Sequence, residues 1–100
     1  MPQTKLLIVE PDAAIRGQLE RALRERYALT FADTRRKAVA AAKDGQPDVV
    51  SLDLALGAPD EAFRILEELL RVAPLARIIV LGANGNRSDA QRASQSGAAP

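Results

Sequence analysis

The sequence predicts an α/β fold in which a doubly wound parallel sheet lies between two layers of helices. Four short apolar runs each precede a segment with helical periodicity, which is the pattern of repeated strand-helix units. The runs are apolar at nearly every position, as strands covered on both faces are. The chain has 100 residues, of which 47% are hydrophobic and 3% aromatic, so we expect one domain with an aliphatic core.

Strands and helices alternate along the chain. The predicted strands cover residues 6–9, 27–31, 49–52 and 77–81. Side chains that can cap the first, second and fourth helices are Asp12, then Asp33 or Thr34, then Asn86 or Ser88. The third helix opens at residues 59–61, where acidic charge favours a helix N-terminus. Helix ends are expected near Gly45 and Pro47, at Pro74 and at Gly97.

Apolar residues recur at helical spacing in the first and third helices. In the first helix they are Ile15, Leu19, Ala22 and Leu23. In the third they are Ala62, Phe63, Ile65, Leu66, Leu69 and Leu70. The second helix opens with the basic run 35–37, which is read as a solvated face or as a docking point for an acidic partner.

Charge and composition exclude several classes of function. Fourteen basic residues against thirteen acidic ones give no field that favours nucleic acid. No stretch approaches the length of a membrane span, and the apolar run near the N-terminus is too short for a signal peptide, so we expect a cytoplasmic protein. Without cysteine or histidine, the chain lacks thiolate or imidazole metal ligands and a histidine phosphoryl donor.

Acidic residues follow two of the predicted strands. Glu10 and Asp12 come after the first strand and Asp53 after the third. Ligands of open parallel sheets bind beyond the carboxyl ends of the strands, so these three carboxylates are candidates for one site. Structural roles are open too, since Asp12 can cap the first helix, Glu10 can favour its N-terminus and Asp53 can form a turn.

Several of these segments together resemble the receiver domain of two-component response regulators. They are residues 7–10 with Asp12, residues 47–54, residues 78–81 and residues 96–98, and the resemblance runs from about residue 6 to 98. Residues 66–70 with Ala73 and Pro74 look like receivers of enhancer-binding transcriptional activators. The resemblance implies a flavodoxin-like sheet with strand order 2-1-3-4-5.

The resemblance also implies roles for individual residues. Asp53 matches the aspartate that accepts a phosphoryl group from a partner's phosphohistidine. Glu10, Asp53 and the backbone carbonyl of Ala55 match the ligands of Mg²⁺, and Asp12 is a further candidate although it lies one position late. Gly82 and Ala83 fall where the family has the switch loop that contacts the phosphoryl group.

The sequence departs from the family at three places. Pro11 stands where a second acidic ligand is expected, so Mg²⁺ binding should be weak. Gly82 stands where the family has a hydroxyl residue. The lysine that pairs with the phosphate follows a fifth strand, and we expect these 100 residues to stop before that strand and its helix. We therefore expect the fourth strand to present an exposed, aggregation-prone edge, so that these residues self-associate, borrow a strand or are part of a longer protein.

Three functions remain open from the sequence. The first is a phosphoacceptor that takes its phosphoryl group from a sensor histidine kinase and controls an output domain of the same protein. It would be a signalling domain without enzyme activity, and it could form a homodimer. The second is a pseudo-receiver that acts through protein binding or dimerisation, which Pro11 and Gly82 favour. The third is a small phosphate- or nucleotide-binding enzyme, and the only sequence feature that favours it is the glycine-containing loop 82–86.

Overall fold

The computed structural model describes residues 3–53 and 60–81, which contain four strands and three helices. The strands are β1 (Thr4–Val9), β2 (Tyr27–Ala32), β3 (Val49–Asp53) and β4 (Arg77–Leu81). The helices are α1 (Ala13–Leu23), α2 (Arg35–Gly45) and α3 (Glu61–Val72). These bounds confirm the predicted strand-helix alternation. The helix predicted from Asn86 or Ser88, and any fifth strand, fall outside the described residues.

All the described strands are parallel, in the order β2-β1-β3-β4. This order confirms the first four positions of the order 2-1-3-4-5 that the resemblance implied. The chain steps from β1 to β2 in one direction and from β2 past β1 to β3 in the other. Because such crossovers are right-handed, α1 covers one face of the sheet, whereas α2 and α3 cover the opposite face.

The main core lies between the sheet and the helices α2 and α3. Alternate strand residues point into it, because side chains of a strand alternate between the two faces. Ala38 and Ala42 of α2 are fully buried, and their small side chains allow this helix to pack closely on the sheet. The largest fully buried side chains of this core are Leu7, Val9, Val50, Leu52, Ile65, Leu66, Leu69 and Ile78.

The opposite face of the sheet is less covered. Helix α1 has no buried residue, and Ile15 on it is 38% exposed. Along β4, Ile78 is buried whereas Ile79 and Leu81 are 39% and 49% exposed. Within the described part of the chain β4 is one of the two outer strands of the sheet. The exposed edge expected from the sequence stays a prediction for the whole domain.

Helix starts follow the predicted capping chemistry. The Asp12 side chain accepts hydrogen bonds from the backbone N–H groups of Ala14 and Ile15, at 2.8 and 3.3 Å. Thr34, one of the two predicted caps of α2, accepts from the N–H of Lys37 at 3.2 Å. Helix α3 ends at Val72, before Pro74, because the residue preceding a proline disfavours helical backbone.

Intramolecular ion pairs involve part of the basic run at the start of α2. Arg35 pairs with Glu61 of α3 at 3.6 Å and contacts Glu68 on the same helix. Lys37 pairs with Asp33 at 3.1 Å. Arg35 therefore links α2 to α3, a role that was not predicted from the sequence.

Among the described residues, each helix is too short or too polar to span a membrane.

Candidate functional site at the carboxyl edge of the sheet

The register of the sheet brings Glu10 and Asp53 side by side. Val9 of β1 is paired with Leu52 of β3, so the next residue of each strand emerges at the same edge. The backbone N–H of Glu10 also donates to the carbonyl of Ala32 at 2.9 Å, which extends the ladder towards β2. Two of the three predicted carboxylates are thus held by neighbouring strands.

Glu10 is buried, with only 7% of its surface exposed, and it is the one charged side chain in the described residues that is buried to this degree. Burial raises the pKa of its carboxyl from the usual 4.5 to about 7, because water no longer stabilises the charged form. A hydrogen bond to Asp53 and the negative charge of Asp53 act in the same direction. Without a cation, Glu10 therefore keeps its proton up to about neutral pH and is hydrogen-bonded to Asp53.

Asp12 has a different environment. Its side chain is used as the N-cap of α1, and its backbone N–H points to Oε2 of Glu10 at 3.5 Å. Within residues 3–53 and 60–81, no group of three or more acidic side chains forms a ready metal cluster. The capping role of Asp12 is confirmed, and its role as a metal ligand stays a prediction.

The chemistry of the two carboxyl groups fits a divalent cation. Glu10 and Asp53 lie within hydrogen-bond distance, and a divalent cation can replace the proton of Glu10 and neutralise the charge of both carboxylates. Mg²⁺ prefers oxygen ligands and commonly takes one or two carboxylates, with waters and phosphate oxygens completing its shell. The predicted ligand Ala55 and the predicted switch residues Gly82 and Ala83 lie outside the described residues.

Arg16 is a residue of this edge that was not predicted from the sequence. Its Nη1 donates to the backbone carbonyls of Glu10 and Pro11, at 2.8 and 3.0 Å. The available signal was a basic residue one turn into the helix that follows the acidic loop.

Asp33 also lies at this edge, at the end of β2. The hydrogen bond from Lys37 lowers the pKa of the Asp33 carboxyl below its usual value, and the positive charge of Arg16 contributes in the same direction. The carboxyl edge thus carries cations beside its acids. The mixture of acidic and basic groups at this edge could not be inferred from the overall composition, because it depends on which residues the fold brings to the edge.

A cleft of about 250 Å³ lies elsewhere on the molecule. It is lined by Lys5, Leu6, Leu7, Ala28, Leu29, Thr30, Ala41, Gly45 and Pro47. Its lining contains none of the candidate site residues, and it sits towards the start of β1 and the end of α2.

The family profile of the response regulator receiver domain matches residues 6–100. The chain belongs to the response regulator receiver domain family, and it is a signalling domain of the two-component type. Among curated proteins, no sequence matches it.

Solved structures share the fold. A response regulator from Burkholderia pseudomallei, with a phosphorylated aspartic acid, calcium ion and citrate, is 28% identical with a TM-score of 0.87, covering 96% of this chain and 56% of that chain. NtrX from Brucella abortus in complex with ADP is 26% identical with a TM-score of 0.84, covering 97% and 22% respectively. The CheX-CheY-BeF3-Mg²⁺ complex from Borrelia burgdorferi is similar in fold, at 22% identity, a TM-score of 0.84, and coverage of 97% and 75%. The chain thus spans about half of the Burkholderia protein.

Proposed function

We propose that residues 1–100 form a receiver domain that accepts a phosphoryl group on Asp53 from a sensor histidine kinase. The observation that carries the proposal is the pairing of Asp53 with the buried Glu10 at the carboxyl edge of the sheet. The phosphorylated aspartic acid of the Burkholderia response regulator supports it by similarity. An output domain of the same protein, of the transcriptional kind, would read the modification.

The transfer is a displacement at phosphorus. A carboxylate oxygen of Asp53 forms a bond to phosphorus while the bond from phosphorus to the partner's histidine nitrogen breaks. The bonding electrons leave with that nitrogen, which takes up a proton from water. While Glu10 is protonated, its carboxyl is hydrogen-bonded to Asp53, so release of this hydrogen bond frees the Asp53 oxygen for attack.

Mg²⁺ would supply the positive charge that offsets the repulsion between the carboxylates and the incoming phosphoryl group. Glu10 and Asp53 are its proposed ligands, together with the backbone carbonyl of Ala55 and with Asp12 as a further candidate. Pro11 offers no carboxylate, so the affinity should be low. Gly82 and Ala83 are proposed as the loop that contacts the phosphoryl group.

The remaining assignments follow from this role. The domain acts in the cytoplasm as a signalling domain and not as an enzyme, and it binds neither nucleic acid nor membrane directly. Homodimer formation is part of the proposal and is supported by the exposed side chains of Ile79 and Leu81. A pseudo-receiver that signals without phosphorylation is the second candidate function. It is favoured by Pro11 and by the hydrogen bond between protonated Glu10 and Asp53.

An NMR titration distinguishes the two functions. Mg²⁺ is added first and then beryllofluoride, a mimic of the phosphoryl group. For a phosphoacceptor we expect saturable shifts at Glu10 and Asp53 that disappear in Asp53→Asn. Asp44→Asn makes the same chemical change at an exposed position on α2 and should bind as the wild type does. An absence of shifts at millimolar Mg²⁺ and mimic would exclude the phosphoacceptor and leave the pseudo-receiver.

A further inference from the structure

The turn between β1 and α1 is held from three sides. The N–H of Glu10 donates to Ala32, and the side chain of Asp12 caps α1. The carbonyls of Glu10 and Pro11 face neither of these partners. Both accept from Nη1 of Arg16, at 2.8 and 3.0 Å.

Helix α1 does not depend on these two bonds for its start. Asp12 already satisfies N–H groups of the first turn, and the N–H of Arg16 closes the first helical bond onto the carbonyl of Asp12 at 3.0 Å. The guanidinium therefore acts on the turn and not on the helix. Because its donors form a rigid planar fork, two neighbouring carbonyls can be fixed by one side chain.

The bonds fix the backbone on both sides of the Glu10 side chain. The N–H of Glu10 is tied to β2, its carbonyl is tied to Arg16, and the ring of Pro11 restricts the next backbone angle. The direction in which the Glu10 side chain leaves the backbone is thereby set. That direction decides how its carboxyl meets Asp53.

We propose that Arg16 is a positioning residue that clamps the β1–α1 turn and thereby aims the carboxyl of Glu10 at Asp53. The effect on Mg²⁺ rests on the proposed function, whereas the clamp itself does not. With Pro11 in place of a second acidic ligand, the site depends on Glu10 more heavily, so the orientation of this one carboxyl matters more.

The test separates position from charge. Removing a positive charge beside a cation site should tighten Mg²⁺ binding if Arg16 acts only through its charge. If Arg16 acts as a clamp, Arg16→Gln should instead weaken Mg²⁺ binding by about tenfold, the scale at which residues that orient metal ligands act. Arg16→Lys keeps the charge and one donor group, so it should lose less affinity.

Arg21→Gln is the matched control. Arg21 is an exposed basic residue in the last turn of the same helix, and its loss should leave Mg²⁺ affinity unchanged. Mg²⁺ dissociation constants are measured by NMR titration for the four chains, and thermal unfolding without Mg²⁺ shows that each variant is folded. Equal or tighter Mg²⁺ binding by Arg16→Gln would overturn the proposal.

A second readout needs no metal. In the Mg²⁺-free chain, ¹⁵N relaxation at the amides of Glu10 and Asp12 should show greater mobility in Arg16→Gln than in the wild type or in Arg21→Gln. If the wild type fails to bind Mg²⁺, the metal part of the proposed function is lost, yet increased mobility at these amides still supports the clamp. Unchanged relaxation in Arg16→Gln would overturn the clamp whatever the metal does.

Discussion

At the scale of single residues, the carboxyl of Glu10 sets a pH dependence of folding. Its pKa is about 7 in the folded chain against the usual 4.5. Below pH 4.5 Glu10 is protonated in both the folded and the unfolded chain, and its full contribution to the free energy of unfolding is present. Between these values the unfolded chain loses the proton first, so the free energy of unfolding falls by about 1.4 kcal/mol per pH unit as pH rises.

We therefore predict that Glu10→Gln removes this loss of stability with rising pH. Without Mg²⁺, the variant should match the wild type near pH 4 and be more stable than it at pH 8, by about 2 to 3 kcal/mol. Glutamine keeps a side-chain donor for Asp53 but cannot ionise. Urea unfolding from pH 4 to 8 in the presence of a chelator measures the difference.

The control for this prediction is Glu20→Gln, at an exposed position of α1. Its pH profile should follow that of the wild type. A Glu10→Gln profile that falls as steeply as the wild-type profile would show that another group is responsible for the pH dependence.

At the scale of secondary structure elements, Gln46 joins the ends of two helices. It follows α2 with left-handed backbone, at a φ of 44°, where glycine is usual. Its side-chain amide donates to the carbonyls of Ala42, Lys43 and Val72, the last at 2.9 Å across to the end of α3. The hydrogen bonds of the side chain offset the cost of the backbone conformation.

We predict that Gln46→Ala destabilises the chain by about 2 kcal/mol, because it loses the side-chain bonds and keeps the unfavourable backbone. Gln46→Gly should cost less, since glycine adopts this conformation freely. Urea unfolding of the two variants measures both effects. Equal losses would show that the backbone conformation contributes nothing.

The same helix end shows how far sequence could lead. Gly45 predicted the end of α2 correctly, but Gly45 is the last helical residue and the left-handed position falls to Gln46. The donors that allow a glutamine there reach Val72, which is 26 residues away in sequence. The caps Asp12 and Thr34 were predictable because their bonds are local, whereas a contact with a distant helix was not.

The candidate site follows the same rule. Glu10 and Asp53 could be placed at one edge of the sheet, because the apolar pattern of the sequence predicts where the strands end and that they pair in parallel. The shift in the pKa of Glu10 could not be predicted, since it depends on burial and on the distance between two strands. The bonds of Arg16 to the turn depend on a side-chain conformation, which the sequence does not specify.

At the scale of the whole molecule, the two faces of the sheet contribute unequally to stability. The main core lies on the side of α2 and α3, where Leu66 is fully buried. On the other side, α1 has no buried residue and Ile15 is 38% exposed. Stability should therefore depend far more on α3 than on α1.

We predict that Leu66→Ala costs about 2 to 5 kcal/mol, because it removes buried contacts and leaves a cavity. Ile15→Ala should cost about 1 kcal/mol or less, since the side chain is partly in water already. Native domains are stable by only about 5 to 15 kcal/mol, so the first change can remove much of the total. Urea unfolding of both variants gives the comparison, with Leu75→Ala as a control at a residue that is 95% exposed. A loss for Ile15→Ala as large as that for Leu66→Ala would mean that α1 packs as firmly on the sheet as α3 does, and that the molecule has two equivalent cores.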